Sequence, residues 1–155
     1  GGSIFLWGCI TRDGPGYLTR IDGGLNSELY IQILEDEFLN TLDYYKLEKD
    51  DVIFQHDNDP KHTAKKTKKW LQRNNIKVLE WPPNSPDMTL MEHIWALLKK
   101  KLSNYDKPPR NNDELWDRIQ SCWNTISKND CEKVIDSMVE RIKILKTNKG
   151  SYTKY

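Results

Sequence analysis

The chain alternates short apolar strand segments with amphipathic helical segments, and this order restricts its fold more than any other feature. Residues 3–10 and 17–21 are rich in strand formers and flank the turn-prone segment 12–16, which predicts an antiparallel hairpin. Two further short strands are predicted at residues 51–57 and 77–81. Strands that alternate with helices in this way predict an α/β fold with helices covering a sheet.

The predicted helices begin at recognisable caps. Asn26 or Ser27 starts the first, whose apolar residues recur every three or four positions as far as about Tyr45. A second starts at Asp59-Pro60 and continues to about Asn74. After the Pro-rich segment 82–87, which suits neither helix nor ladder, helices are predicted from Leu90 onward and at residues 113–126 and 130–146.

Composition limits the class of protein. A chain of 155 residues is about one domain, and its 16 aromatic residues argue against disorder. No apolar run approaches the roughly 20 residues of a membrane-spanning helix. Three cysteines without CxxC spacing favour a reducing, intracellular compartment. Because the chain opens on Gly1-Gly2 instead of Met, we expect it to be part of a longer protein.

Charge is unevenly distributed although the formal net charge is only +1. Residues 22–51 hold nine acidic side chains against two lysines, whereas residues 61–77 hold six lysines and one arginine without any acid. On charge alone, this basic stretch could be a solvated helix face or a surface for a polyanion. The lysines expected near one side of its helix are Lys61, Lys65, Lys68 and Lys69.

Two carboxylates occupy positions suited to chemistry. Asp57 ends a strand where the chain turns into a helix, and Glu92 lies in the first turn of a later helix, with 34 residues between them. Ligands gather at the carboxyl ends of strands in α/β sheets, and paired carboxylates suit Mg²⁺. Each also has a structural interpretation: Asp57 as a turn former, and Glu92 as the partner of Thr89 in a capping box.

Three segments, in order, resemble the catalytic domain of mariner-superfamily DDE transposases. They are Phe54-Gln55-His56-Asp57 with the residues that follow to Thr63, Trp81-Pro82-Pro83-Asn84-Ser85-Pro86-Asp87, and Glu92-His93-Ile94-Trp95. The apolar run at residues 4–10 with Gly14-Pro15-Gly16 resembles the same domain's hairpin. The resemblance is close over residues 1–102 and looser beyond, and the interval from Asp57 to Glu92 equals the family's spacing.

The resemblance implies a ribonuclease-H-like mixed sheet flanked by helices. It implies that Asp57 and Glu92 are catalytic and bind two divalent ions, Mg²⁺ or Mn²⁺, in metal-dependent DNA cleavage and strand transfer. It also favours DNA as the partner of Lys61, Lys65, Lys68 and Lys69, and implies a homodimer acting in the nucleus on transposon ends and target DNA. The alternatives are a catalytically dead remnant that binds DNA or a partner, and a nuclease of the same fold.

The family's first aspartate and central strand precede the hairpin, and neither is present in this chain. We therefore expect this chain by itself to be inactive and either marginally stable or unable to bring its two halves together, since unpaired buried backbone groups cost about 1–3 kcal/mol each. Residues 1–105 are interpreted as the partial catalytic core and residues 106–155 as its helical extension. His62 and His93 could assist a metal or a phosphate, but as lone histidines they are expected to pack or hydrogen-bond. The tryptophans Trp95, Trp116 and Trp123 are expected to lie in the core or an interface.

Overall fold

The computed structural model describes residues 4–55, 65–79 and 90–147. Its first element is the predicted hairpin, formed by β1 (Phe5–Thr11) and β2 (Gly14–Ile21), which pair antiparallel from Phe5 opposite Ile21 to Thr11 opposite Gly14. The turn is shorter than predicted, because only residues 12 and 13 connect the strands. The Thr11 hydroxyl closes it by accepting from the Asp13 N–H at 3.1 Å and donating to the Gly14 carbonyl at 3.2 Å.

The predicted helix near residues 26–45 is confirmed, but it is interrupted. It consists of α1 (Ser27–Ile33), a π-helical turn (Leu34–Phe38) and α2 (Leu39–Tyr44). Asn26 is the N-cap, and its side chain accepts from the Leu29 N–H at 2.8 Å. In the π turn the N–H of Leu39 bonds the carbonyl of Leu34, five residues back. The spacing of the apolar residues does not indicate this turn.

The second half of the chain follows the predicted order with shorter strands. After a 3₁₀ turn (Lys49–Asp51) come β3 (Ile53–Phe54), α3 (Lys65–Arg73) and β4 (Lys77–Val78), and β3 pairs parallel with β4. Three helices complete the described chain: α4 (Leu90–Leu102), α5 (Asn112–Trp123) and α6 (Lys128–Thr147). The predicted helix start at Asp59-Pro60 and the Pro-rich segment lie outside the described residues.

The hairpin is the middle layer between two groups of helices. On one side, Trp7 and Ile21 pack into a cluster with the α1–α2 segment, β3 and α3. On the other side, Ile10 and Leu18 pack against α4, α5 and α6. The outer edge of β2 is closed by side chains: the Tyr17 N–H donates to Thr41 Oγ1 at 3.0 Å, and Trp123 Nε1 donates to the Gly16 carbonyl at 2.9 Å.

The strands form two separate two-stranded ladders, β1 with β2 and β3 with β4. Within the described ranges, side-chain packing holds the two ladders in one molecule: Trp7 of β1 and Phe54 of β3 belong to the same apolar cluster. Among the residues that the structure describes, no helix is long and apolar enough to cross a membrane.

Candidate active site and nucleic-acid interface

Glu92 is the third residue of α4 and lies on the exposed side of its first turn. It forms no ion pair or hydrogen bond with any side chain in the described ranges. Its predicted capping partner, Thr89, lies outside those ranges, as does Asp57. The structural interpretations of both carboxylates therefore stay open, and so does their pairing.

A hydrogen bond joins the two segments that carry these carboxylates. The side-chain oxygen Oε1 of Gln55, at the end of β3, accepts from the backbone N–H of Leu90, the first residue of α4, at 3.1 Å. Gln55 precedes Asp57 by two residues, and Leu90 precedes Glu92 by two. The fold thus brings together the chain immediately before each candidate ligand. Sequence reasoning assigned Gln55 no role beyond its place in the family-like segment.

Within residues 4–55, 65–79 and 90–147, no group of three or more histidine, cysteine, aspartate or glutamate side chains could hold a metal ion. The donor chemistry at the candidate site nevertheless fits a hard cation. Mg²⁺ takes oxygen ligands, usually one or two protein carboxylates, and keeps water or phosphate oxygens for the rest. Glu92, exposed and without a partner among the described side chains, offers such a carboxylate.

Helix α3 is fixed by its apolar side and presents lysines on the other. Trp70 and Leu71 are buried, and Trp70 Nε1 donates to Glu35 Oε1 in the π turn at 2.9 Å. Lys65, Lys68 and Lys69 are exposed, as a phosphate-binding surface requires, while Lys61 lies outside the described residues. Binding of DNA by these lysines stays a prediction.

One lysine of α3 is engaged by an acid. Lys66 Nζ lies 2.7 Å from Glu28 Oε1, and both side chains are mostly exposed. The hydrogen bond from Lys66 lowers the pKa of Glu28. An ion pair in such an exposed position contributes little to stability. Lys66 is therefore not equivalent to the three lysines that surround it.

The remaining predicted residues are placed as follows. His93 is exposed next to Glu92, and His62 lies outside the described residues. The tryptophans are core residues, as predicted: Trp123 is buried, and Trp95 and Trp116 pack at the edges of clusters formed by α4, α5 and α6. The sequence interpretation overlooked two exposed lysines on α4, Lys99 and Lys100, although the run Lys99-Lys100-Lys101 was visible.

A three-layer α/β/α arrangement with carboxylate-bearing segments converging at a strand end is typical of metal-dependent nucleases. The family model for DDE superfamily endonucleases matches residues 1–115, and the chain belongs to this family. It is similar to the Tc1 transposase of Caenorhabditis elegans, at 34% identity over 157 residues covering 100% of this chain and 55% of that protein. The chain thus spans about half the length of this curated relative.

Two solved structures confirm the fold. The Mos1 transposase catalytic domain with raltegravir and Mg matches with a TM-score of 0.73 and 19% identity over 97% of this chain and 77% of that one. The Mos1 transposase paired-end complex with left transposon end matches with a TM-score of 0.77 and 22% identity over 96% and 44%. The ribonuclease-H-like mixed α/β fold expected from the sequence is therefore confirmed.

Proposed function

We propose that this chain is the catalytic part of a DNA transposase, which cuts and rejoins phosphodiester bonds with the help of divalent metal ions. The hydrogen bond between Gln55 and Leu90 carries the proposal, because it ties the strand end before Asp57 to the helix start before Glu92. Two residues of chain reach at most about 7 Å, so this contact supports convergence of the two carboxylates. Membership of the endonuclease family supports the chemistry.

In this proposal Asp57 and Glu92 hold two Mg²⁺ or Mn²⁺ ions through carboxylate oxygens. The similar Mos1 catalytic domain was solved with Mg, which supports a divalent ion of this kind. When bound, such a pair of ions lowers the pKa of an attacking water or hydroxyl and stabilises the leaving oxygen in an in-line displacement. Carboxylates suit this task since they neutralise the cations and remain deprotonated at neutral pH.

The chain's own residues have three tasks. Gln55 satisfies the backbone N–H of Leu90 and so fixes the start of α4 relative to β3. Glu92 projects from the first helical turn into solvent, where DNA has access. Lys65, Lys68 and Lys69, with Lys61, contact backbone phosphates without reading sequence.

The proposed partners are transposon-end DNA and target DNA, on which the protein acts as a homodimer in the nucleus. The similar Mos1 complex contains a transposon end, which supports the first of these partners.

The test uses Asp57→Asn and Glu92→Gln in the longest gene product that contains this chain. Asparagine can still form a turn and glutamine can still complete a capping box, so these changes preserve the structural roles and remove only the carboxylate. We expect Mg²⁺-dependent cleavage of a duplex carrying the element's end to fall at least about 100-fold, the upper range for disturbed metal sites. DNA binding in EDTA should stay within about twofold, since the phosphate contacts that dominate affinity are elsewhere.

Mg²⁺ binding and a control variant distinguish an active metal-dependent enzyme from an inactive remnant. Mg²⁺ should raise the melting temperature of the parent protein by mass action and should raise that of Glu92→Gln less. Asp117→Asn, an exposed acid on α5, is the matched control and should behave as the parent. Full cleavage by either carboxylate variant contradicts the assignment. DNA binding by a parent protein that never cleaves would instead indicate the inactive remnant.

A further inference from the structure

Helix α4 has one continuous exposed stripe, and Glu92 stands at its beginning. Its buried side is formed by Ile94 and Leu98, with Trp95 packed beside them. The opposite side is exposed at every position spaced by three or four residues. These positions are Glu92, His93, Ala96, Lys99, Lys100 and Ser103, the last just beyond the helix.

The spacing places the two lysines in line with the carboxylate. Seven residues are almost two helical turns, so Lys99 lies on the same side of α4 as Glu92 and about 10 Å farther along the axis. This separation equals the rise of about three base pairs in duplex DNA. Ala96 stands between them and has only a methyl side chain, so the middle of the stripe carries no bulky group, while His93 lies beside Glu92 at the acidic end.

Within the described residues, the side chains of Lys99 and Lys100 have no partner. Lys99 and Lys100 form no ion pair with any acid in the part of the chain that the structure describes, in contrast to Lys66 on α3 and Lys128 on α6. Cations in the last helical turn also favour the helix dipole, which gives a purely structural explanation for them. A test must therefore separate DNA contact from helix stabilisation.

We propose that the exposed stripe of α4 is a second phosphate-binding surface, distinct from α3, on which Lys99 and Lys100 bind the DNA backbone within about three nucleotides of the bond that is cut. This inference rests on the proposed function, because it takes Glu92 to lie at the scissile phosphate. The lysines supply affinity and alignment, and they take no part in the chemical step.

The first experiment measures duplex binding as a function of salt. Each phosphate contact contributes about 0.9 to the slope of log K against log salt concentration, so Lys99→Gln/Lys100→Gln should lower its magnitude by nearly two. A random-sequence duplex of about 30 base pairs is sufficient as the probe, since phosphate contacts are independent of sequence. Lys99→Arg/Lys100→Arg should restore the slope. Lys46→Gln, an exposed lysine in the acidic segment, is the matched control and should leave it unchanged.

The second experiment changes DNA binding with little change in helix stability. Ala96→Glu places a carboxylate four residues before Lys100, which stabilises a helix, and four residues after Glu92, which destabilises it by a similar amount. It also places negative charge in the middle of the stripe. We expect the melting temperature to change little while duplex affinity falls, and Ala96→Gln to change neither. An unchanged affinity in Ala96→Glu would contradict DNA contact along the stripe.

The possible results distinguish this inference from the proposed function. If the parent protein cleaves DNA and the double glutamine variant keeps the full salt slope, the stripe is not a phosphate-binding surface and the proposed function stands. If the slope drops but Lys99→Arg/Lys100→Arg fails to restore it, contact by charge is refuted. If no Mg²⁺-dependent cleavage occurs with the parent protein while the slope changes as expected, the two lysines still bind phosphate, but their placement beside a cut bond fails together with the catalytic proposal.

Discussion

Gln55 Oε1 satisfies the first backbone N–H of α4, that of Leu90, across a distance of 3.1 Å and a sequence separation of 35 residues. The first four N–H groups of a helix have no partner within the helix, so this bond both caps α4 and ties it to β3. It makes Gln55 a positioning residue for the candidate active site.

Gln55→Met should therefore affect Mg²⁺-dependent cleavage strongly while it lowers the stability of the protein only a little. Losing a hydrogen bond of this kind costs about 1 kcal/mol of unfolding free energy, whereas loss of orientation around a metal site typically costs 10–100-fold in affinity or activity. The measurement is the Mg²⁺ concentration that gives half-maximal cleavage, which we expect to rise. Gln72→Met, at an exposed position on α3, should leave that concentration unchanged. An unchanged value in Gln55→Met would remove Gln55 from the site.

Substitution by alanine should lower the stability of the protein at Gly16 but not at Gly24. A β-carbon at Gly16 would lie 2.6 Å from both Cys9 Sγ and Thr41 Cγ2, and Thr41 is buried, so the packing must shift. We expect Gly16→Ala to cost about 1–3 kcal/mol in urea unfolding. Among the described residues, apart from its chain neighbours, no atom lies within 4 Å of a β-carbon added at Gly24, and its backbone conformation suits an alanine, so Gly24→Ala should be neutral or stabilising. Equal effects would contradict the packing described for β2 and α2.

The buried thiols of Cys9 and Cys131 should lower the stability of the protein as the pH rises above 9. Burial raises the pKa of Cys9 from 9.0 to about 12 and that of Cys131 from 9.0 to about 11. Above pH 9 the unfolded chain loses thiol protons that the folded chain keeps, so the free energy of unfolding decreases as pH rises, by up to about 1.4 kcal/mol per pH unit for each thiol. Below pH 9 both states are protonated and this contribution is constant.

The measurement is urea unfolding at pH 7, 9 and 10.5 for the parent chain and for Cys9→Ala/Cys131→Ala. Tyrosines and lysines titrate in both proteins, so the difference between the two pH profiles isolates the thiols. The double variant should be less stable at pH 7 and should lose less stability between pH 9 and 10.5. Parallel profiles would show that the two thiols titrate normally.

The stability that the packing of α3 contributes should depend strongly on Trp70 and little on Lys66. Trp70 is buried and its indole N–H is bonded to Glu35, so Trp70→Ala should cost about 3–5 kcal/mol. Lys66→Gln removes only an exposed pair with Glu28 and should change stability by less than about 1 kcal/mol. Chemical denaturation of both variants gives the comparison. A large loss in Lys66→Gln would show that α3 is held to α1 by charge.

The 155-residue chain by itself should be weakly stable, since in the described residues its two ladders do not pair with each other. A domain of this size loses about 2 kcal/mol of stability per molar urea, so an unfolding free energy below the usual lower value of about 5 kcal/mol places the midpoint below about 3 M. Urea unfolding followed by tryptophan fluorescence measures it. A stable monomer with a midpoint well above that value would contradict the expected deficit in the sheet.

The sequence predicted the elements that have local signals. The apolar stripe and the Asn26 cap identified the first helix, and the strand-forming runs identified the hairpin. The sequence overestimated the turn at residues 12–16, because Gly14, Pro15 and Gly16 are typical of turns but here belong to β2, where Gly14 and Pro15 pair with β1 and the Pro15 carbonyl accepts from the Tyr45 hydroxyl. That hydrogen bond joins residues 30 positions apart, and a local pattern cannot reveal it.

The candidate site was predicted through its carboxylates and not through what aligns them. The resemblance to the transposase catalytic domain favoured Asp57 and Glu92 as metal ligands, whereas their residue types and positions alone also allowed structural roles. Gln55 and the exposed stripe of α4 were not predicted, since the role of each depends on which residues face a neighbouring element. Exposure at Lys99 and Lys100 follows from the burial of Ile94 and Leu98 on the other side of the helix.

The π turn at Leu34–Phe38 allows one interrupted helix to form hydrogen bonds with two different elements, α3 and β2. It holds one residue more than the α-helical turn it replaces, which rotates α2 relative to α1 by about 100°. Within the π turn, Glu35 accepts from Trp70 of α3; after it, Thr41 of α2 accepts from the Tyr17 N–H of β2. Deletion of Asp36 would restore a regular helix, and one of the two hydrogen bonds, Glu35 with Trp70 or Thr41 with Tyr17, would then be lost.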